Sequence, residues 1–221
     1  MKTAIAILVK TPGYSPLKTR LAADIGEHNA HHFYRLSLNA IQSTIQKTSL
    51  YPHWAVGEKQ ALNEQIWQAF PTLHTGEGDL GDRQYHIYET LLKTHDAVIL
   101  IGADAPQIST EMLENAKTAL TQNDFTIGPA NDGGYTLFGG RKSIALESWK
   151  SVSWSVETTR EELIKTLPSK PFQLPTHTDV DTKSDLTTII HEMPNGMNTE
   201  QKTLIDWINT LWTFSAYGFK I

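Results

Sequence analysis

The chain has 221 residues, 39% of them hydrophobic and 19% charged, which is ordinary for a globular protein large enough to bury one core. It contains no cysteine, which excludes a disulfide framework, a thiol nucleophile and a cysteine-based zinc site, and which fits a reducing compartment. The net charge of −5 argues against nucleic-acid binding, and the apolar runs are far shorter than the roughly 20 residues that span a bilayer. We therefore expect one cytoplasmic domain over residues 1–221, with no nucleic-acid or membrane partner.

The first element is a strand followed by a basic loop. Residues 3–9 are almost entirely apolar and predict a buried strand rather than a signal peptide, because the run is too short and no cleavage site follows. Prolines and a glycine in KTPGYSPLKTR exclude regular structure and predict an ordered loop over residues 10–20. The first 20 residues carry four basic side chains and no acid. This pattern favours a bound phosphate group, and the alternative is a solvated basic loop.

The rest of the chain alternates predicted helices and strands, as an α/β protein does. Helices are expected at 28–47, 62–70, 82–93, 109–120, 156–167, from 183, and at 198–212. Strands are expected at 50–56, 97–101, 124–128 and 135–139, with a short one inside 168–175. In the second helix Ile66 and Trp67 should point inward, and Trp149 and Trp154 should flank a surface loop.

A carboxylate follows the most apolar strand of the chain. The run AVILIGADAP reads as a strand buried on both faces that ends at Gly102, and this places Asp104 just beyond its carboxyl end. Ligands of open α/β sheets bind at that edge. Asp104 could cap the next helix, but Ser109 is the better cap. A hard divalent cation is therefore the leading partner for Asp104.

Two glycine-rich segments have both functional and ordinary explanations. TGEGDLGDR, residues 75–83, has three glycines among charged residues, which favours backbone lying against a planar ligand over a plain capped turn. GPANDGGYTLFGG, residues 128–140, predicts a turn that returns into the sheet, and Asp-Gly is also an ordinary hairpin signal.

Three aspartates cluster at the start of the helix near residue 183. Asp185 lies inside that helix, where it favours the positive end of the dipole. Of Asp179 and Asp181, one can cap the helix through Thr182 and the other is free to meet Asp104.

Taken in order, the strings PGYSPLKTRLA, GDLGDR, IGADAP, GPANDGGYTLFGG, SWSVETT and DVDTKSDL resemble a known family over about residues 3–190. They are similar to the rSAM/selenodomain-associated transferases, also described as arsenosugar-biosynthesis-type glycosyltransferases, within the nucleotide-diphospho-sugar transferases. The resemblance implies a three-layer, Rossmann-like A-type glycosyltransferase fold with a mostly parallel mixed sheet.

The resemblance also implies a set of site residues. A divalent cation, Mg²⁺ or Mn²⁺, would be bound by Asp104 and Asp181. The residues expected to carry catalysis are Lys18, Asp104 and Asp132. The residues expected to bind the nucleotide are Lys10, Pro12, Gly13, Lys18, Arg20, Gly78, Asp79, Gly81 and Arg83. Those expected to face the sugar or the acceptor are Asn131, Asp132, Gly133, Gly134, Tyr135 and Trp154.

The first functional hypothesis is a metal-dependent glycosyltransferase that uses a nucleotide-sugar donor and a small-molecule acceptor. The second is a nucleotidyltransferase of the guanylyltransferase type, in which the same loop binds a nucleoside triphosphate and an acceptor phosphate attacks its α-phosphorus. The third is a nucleotide-binding module without catalysis.

Overall fold

The structure is a computed structural model that describes residues 1–216, with the backbone alone for residues 213–216; the predicted domain extends beyond this range, to residue 221. Its centre is a seven-stranded sheet in the order β3-β2-β1-β4-β6-β5-β7. The strands are β1 (Thr3–Val9), β2 (Tyr51–Val56), β3 (Thr72–His74), β4 (Ala97–Gly102), β5 (Phe125–Pro129), β6 (Tyr135–Gly140) and β7 (Phe172–Gln173). Only β6 is antiparallel to its neighbours, so the sheet is mostly parallel, as predicted.

Eight helices accompany these strands within residues 1–216. They are α1 (Thr19–Ile25), α2 (Glu27–Ile45), α3 (Leu80–Leu92), α4 (Thr110–Ala119), α5 (Leu146–Lys150), α6 (Thr159–Thr166), α7 (Lys183–Glu192) and α8 (Thr199–Ala216). None of these helices is both long and apolar enough to cross a bilayer.

The two faces of the sheet are buried in two separate apolar layers. Alternate side chains of a strand point to opposite faces, so Ile5 and Ile7 of β1 join one core while Ala4 and Ala6 join the other. β4 divides in the same way, and its residues 97–101 are almost completely buried. This confirms the predicted three-layer α/β fold. A third cluster joins α1, α2, α7 and α8 beside the sheet.

Several local predictions are wrong. The segment 62–70 is not a helix but contains a 3₁₀ turn at Gln65–Trp67, preceded by another at Lys59–Ala61. Trp67 is buried against Trp54, whereas Ile66 is 37% exposed, so only one of the two residues predicted to point inward does so.

The loop predicted over residues 10–20 ends early, since α1 starts at Thr19 and includes Arg20. Trp149 does not flank a surface loop but is buried inside α5, a helix that the sequence pattern did not reveal. The helix predicted from residue 156 begins at Thr159. The Thr159 hydroxyl bonds the Ser153 carbonyl and the Val156 N–H, which holds residues 153–156 in a turn.

Candidate functional site

The loops that carry the predicted site residues meet at one edge of the sheet. Because β1 to β5 are parallel to one another, their carboxyl ends lie on the same side. The loops after β1, β3, β4 and β5 therefore converge, and the segment after β7 joins them through a parallel bridge between Ala130 and His177. This is the edge at which open α/β sheets bind ligands.

Lys18 and Asp104 form the centre of this edge. Lys18 Nζ lies 2.8 Å from Asp104 Oδ1 and donates to the Val180 carbonyl at 2.5 Å. The Lys18 side chain is only 7% exposed, and its backbone adopts the left-handed region with φ 47°. A non-glycine residue in that region costs of order 1–2 kcal/mol, and such residues concentrate at functional sites. The structure thus brings the basic loop against the end of β4 through a Lys18–Asp104 contact that the sequence did not predict.

The basic loop is ordered by contacts on its backbone. The Tyr34 hydroxyl accepts from Lys10 N at 3.1 Å and donates to Lys10 O at 2.8 Å, and Thr11 N donates to Glu58 at 2.8 Å. Gly13 has φ 86°, which favours glycine, and it precedes an exposed Tyr14. The Lys10 side chain is left exposed beside the edge, as a phosphate-binding role requires.

Arg20 and Asp181 form a second ion pair at the flank of the site. Arg20 Nη1 lies 2.5 Å from Asp181 Oδ2, and the two side chains are 75% and 42% exposed. Asp185 in the first turn of α7 accepts from the N–H groups of Asp181 and Thr182. Asp185 therefore stabilises the start of α7 from the first turn, where the sequence placed it. Neither Asp179 nor Asp181 is needed as a cap.

Asp179 is the carboxylate that sequence reasoning left unassigned. Val180 N donates to Asp104 O at 2.9 Å, which lays this segment beside the end of β4. Burial, together with the neighbouring Asp132 and Asp104 carboxylates, raises the pKa of Asp179 to about 6, while Lys18 opposes the rise. Asp179 thus lies near Asp104, whereas Asp181 forms an ion pair with Arg20. The sequence does not show these different neighbours, because they come from other parts of the chain.

The glycine-rich segment 75–83 forms a tight turn that leads into α3. The Asp79 carboxylate accepts from Asp82 N at 3.0 Å and Asp82 bonds back, forming a capping box. Arg83 donates to the carbonyls of Gly78 and Gly57, so its guanidinium holds this loop against β2. The sequence prediction gave Arg83 a nucleotide role, and in the structure its contacts fix the loop.

Trp154 packs against the start of α3. A Cβ on Gly81 would lie 2.2 Å from the Trp154 indole nitrogen, so only glycine fits there. Trp154 also stacks on Trp149, with their ring centroids 5.9 Å apart. The predicted sugar-or-acceptor role of Trp154 stays a prediction, and its visible role is to join α3 to the loop before α6.

The loop between β5 and β6 faces the same edge. Asp132 Oδ1 accepts from Gly134 N at 2.8 Å, and Asn131 and Asp132 are both exposed. Gly133 has φ 91°, and a Cβ there would lie 2.0 Å from the Glu157 carbonyl oxygen, so the segment just before α6 packs against this turn. The Tyr135 hydroxyl donates to Gln84 on α3 at 2.8 Å, and burial raises the pKa of Tyr135.

A divalent cation fits the oxygen donors gathered here, although the site is not complete by itself. Within residues 1–216 no three acidic or histidine side chains form a ready metal cluster. Mg²⁺ characteristically takes one or two carboxylates and completes its shell with water and substrate phosphates. Asp104 with Asp179 or Asp181 could supply these carboxylates.

Solved structures share this fold. A "putative nucleotide-diphospho-sugar transferase" from Desulfovibrio desulfuricans G20 is 25% identical, with a TM-score of 0.82 over 97% of this chain and 98% of that one. A CMP:2-keto-3-deoxy-manno-octonic acid synthetase complexed with CTP is 11% identical, with a TM-score of 0.54 over 86% and 97%. A 4-diphosphocytidyl-2C-methyl-D-erythritol synthase from Anaerococcus prevotii DSM 20548 is 13% identical, with a TM-score of 0.53 over 84% and 96%.

No protein with a curated description matches the sequence. Residues 44–156 match a bacterial family described as "uncharacterized protein conserved in bacteria (DUF2064)". This range runs from the end of α2 to the loop before α6, and it contains Asp104, the entry into α3 and the β5–β6 loop. Since the match covers about half of the chain and the part that builds most of the site, the chain belongs to this DUF2064 family.

Proposed function

We propose that this chain is a transferase that binds a nucleotide sugar with Mg²⁺ or Mn²⁺ at the carboxyl edge of its sheet and transfers the sugar to a small acceptor. The observation that carries the proposal is the Lys18–Asp104 pair, 2.8 Å long, at the meeting point of the loops. An ammonium group and a carboxylate at one edge provide a cation for the diphosphate and an oxygen ligand for a metal ion.

Each group has a distinct task in this proposal. Lys18 and Arg20 bind the diphosphate, and Asp104 with Asp179 or Asp181 holds the metal ion. The ion, when bound, offsets the negative charge that develops on the departing nucleoside diphosphate. The loop of Asn131 and Asp132 faces the sugar.

Two further points support sugar transfer. The 25% identical structure named as a putative nucleotide-diphospho-sugar transferase aligns over nearly the whole chain. The order of motifs resembles the rSAM/selenodomain-associated transferases, and this more specific membership is part of the proposal. We place the reaction in the cytoplasm, a reducing compartment with which a chain without cysteine is compatible.

A thermal-shift screen of nucleotides and nucleotide sugars, each with Mg²⁺ or Mn²⁺, tests the proposal. A ligand at 100 times its Kd should raise the free energy of unfolding by about 2.7 kcal/mol. The products of turnover then separate the reaction classes. Free nucleoside diphosphate indicates sugar transfer, pyrophosphate indicates nucleotidyl transfer, and binding without turnover indicates a non-catalytic module.

A further inference from the structure

A series of hydrogen bonds links the half-buried Glu192, at the end of α7, to Asn131 at the site. Asn131 Nδ2 donates to Thr178 Oγ1 at 2.8 Å, and Thr178 Oγ1 donates to Glu192 Oε1 at 2.7 Å. Thr178 is only 5% exposed, whereas Asn131 is exposed at the edge of the sheet. Thr178 therefore has no surface to offer a ligand, and any influence it has on a ligand must pass through Asn131.

Glu192 determines which group donates in each of these hydrogen bonds. Its Oε2 accepts from Thr178 N and from Gln107 Nε2, both at 2.8 Å, so backbone and amide donors surround the carboxylate. A carboxylate only accepts, which obliges the Thr178 hydroxyl to donate to it. The hydroxyl then has only lone pairs left for Asn131, which must present its NH₂ group inward. The Asn131 Oδ1 atom is thereby turned away from Thr178.

The position of Asn131 relates this orientation to the substrate. The bridge between Ala130 and His177 sets Asn131 beside Thr178. On the partner segment Thr178 is followed by Asp179, and Val180 N donates to the Asp104 carbonyl at 2.9 Å. Asn131 thus borders the cluster to which we assign the diphosphate and the metal ion. The group attached to the diphosphate would lie against it.

We infer that Glu192, acting through Thr178, holds the Asn131 amide with its oxygen facing the site, where it accepts a hydrogen bond from a hydroxyl group of the donor sugar. This inference rests on the proposed function. Asn131 is the residue that touches the sugar, and Thr178 and Glu192 are positioning residues. A site built to bond a hydroxyl group rejects an analogue that lacks it, so the relay would help determine which sugars are accepted.

The orientation is tested first without any ligand. The side-chain NH₂ resonances of Asn131, assigned by their loss in Asn131→Asp, are followed by NMR hydrogen exchange in the parent, Thr178→Val and Thr178→Ser. Serine keeps the hydroxyl group and valine removes it with little change of shape. We expect slow exchange in the parent and Thr178→Ser, and at least tenfold faster exchange in Thr178→Val. Equal exchange in all three proteins would overturn the relay.

The contact with the sugar is tested by calorimetric titration of UDP-glucose against UDP, and of GDP-mannose against GDP, with Mg²⁺ present. Thr178→Val should weaken the binding of the recognised nucleotide sugar about tenfold and leave the nucleoside diphosphate unchanged, because a hydrogen bond of about 1.4 kcal/mol is lost only with the sugar. Thr178→Ser should bind both ligands as the parent does. Equal losses for both ligands, or equal effects of valine and serine, would overturn the inference.

A second variant guards against misfolding of Thr178→Val. In Glu192→Gln the new amide can donate to Thr178, which frees the hydroxyl to donate outward and turns the Asn131 amide over. The same selective loss is expected, and retained sugar affinity would contradict the inference. If the parent binds no nucleotide sugar while the exchange experiment succeeds, the proposed function fails and the orientation stands. If the sugar binds without the selective loss, the inference fails and the proposed function stands.

Discussion

At the scale of single residues, the site depends on Lys18 in an unfavourable backbone conformation. Its φ of 47° brings the side chain back between Asp104 and the Val180 carbonyl. The sequence indicated the basic character of this loop and the carboxylate after β4. It could not indicate the left-handed turn, because nothing in the residue type lysine favours that conformation.

Two substitutions at Lys18 distinguish the role of its charge in binding from the effect of its backbone conformation on stability. Lys18→Ala and Lys18→Gly both remove the ammonium group, so both should weaken nucleoside diphosphate binding tenfold or more and leave binding of the free nucleoside unchanged. Glycine tolerates the left-handed conformation, so Lys18→Gly should be about 1 kcal/mol more stable than Lys18→Ala in urea unfolding. Equal losses for nucleoside and nucleotide would instead assign Lys18 a role in folding.

Asp179 should make the stability of the metal-free protein depend on pH. Its folded pKa of about 6 lies above the value of 3.8 for a free side chain, so the folded state holds the proton more tightly. The stabilisation that this proton gives the folded state is therefore fully present below about pH 4. It is lost as the pH rises through about 6, which lowers the free energy of unfolding by ~3 kcal/mol. Asp179→Asn should remove this dependence, as urea unfolding of both proteins between pH 4 and 7 without divalent ions would show. Identical pH profiles would contradict the assigned environment of Asp179.

At the scale of elements, the start of α3 is fitted against the loop before α6. The sequence predicted a close approach around the glycines of residues 75–83, and the structure shows that Gly81 approaches Trp154. The partner could not be predicted, because Trp154 lies far along the chain and within a segment whose turn arises from local side-chain bonds.

Substitution at Gly81 tests this packing. Gly81→Ala would place a Cβ 2.2 Å from the Trp154 ring, and we expect a loss of about 1–3 kcal/mol in the free energy of unfolding. Adding Trp154→Ala to Gly81→Ala should recover part of that loss. Gly196→Ala is the matched control, because its Cβ would meet nothing within 4 Å, and it should have little effect. If Gly81→Ala were as stable as the control, the close contact would be absent in solution.

At the scale of the whole molecule, strand identity was readable because β1 and β4 are apolar runs buried on both faces. The convergence of the loops could be predicted from the parallel pairing of β1 and β4. This pairing brings together Lys18, in the loop after β1, and Asp104, in the loop after β4. The sequence did not show that Asp179 lies near Asp104 and Asp132 while Asp181 pairs with Arg20, because these neighbours come from distant parts of the chain. The relay through Thr178 and Glu192 was also hidden, since it joins three distant parts of the chain.

The metal-dependent affinity of Asp104→Asn for a nucleoside diphosphate tests the central claim most directly. The substitution lies at a strand end outside the core, so the fold should persist, and circular dichroism and unfolding would verify this. Calorimetric titration with UDP or GDP, in Mg²⁺ and in EDTA, should show tighter binding with Mg²⁺ for the parent and equal binding in both conditions for Asp104→Asn. A folded Asp104→Asn protein that keeps the full effect of Mg²⁺ on nucleotide binding would contradict the account.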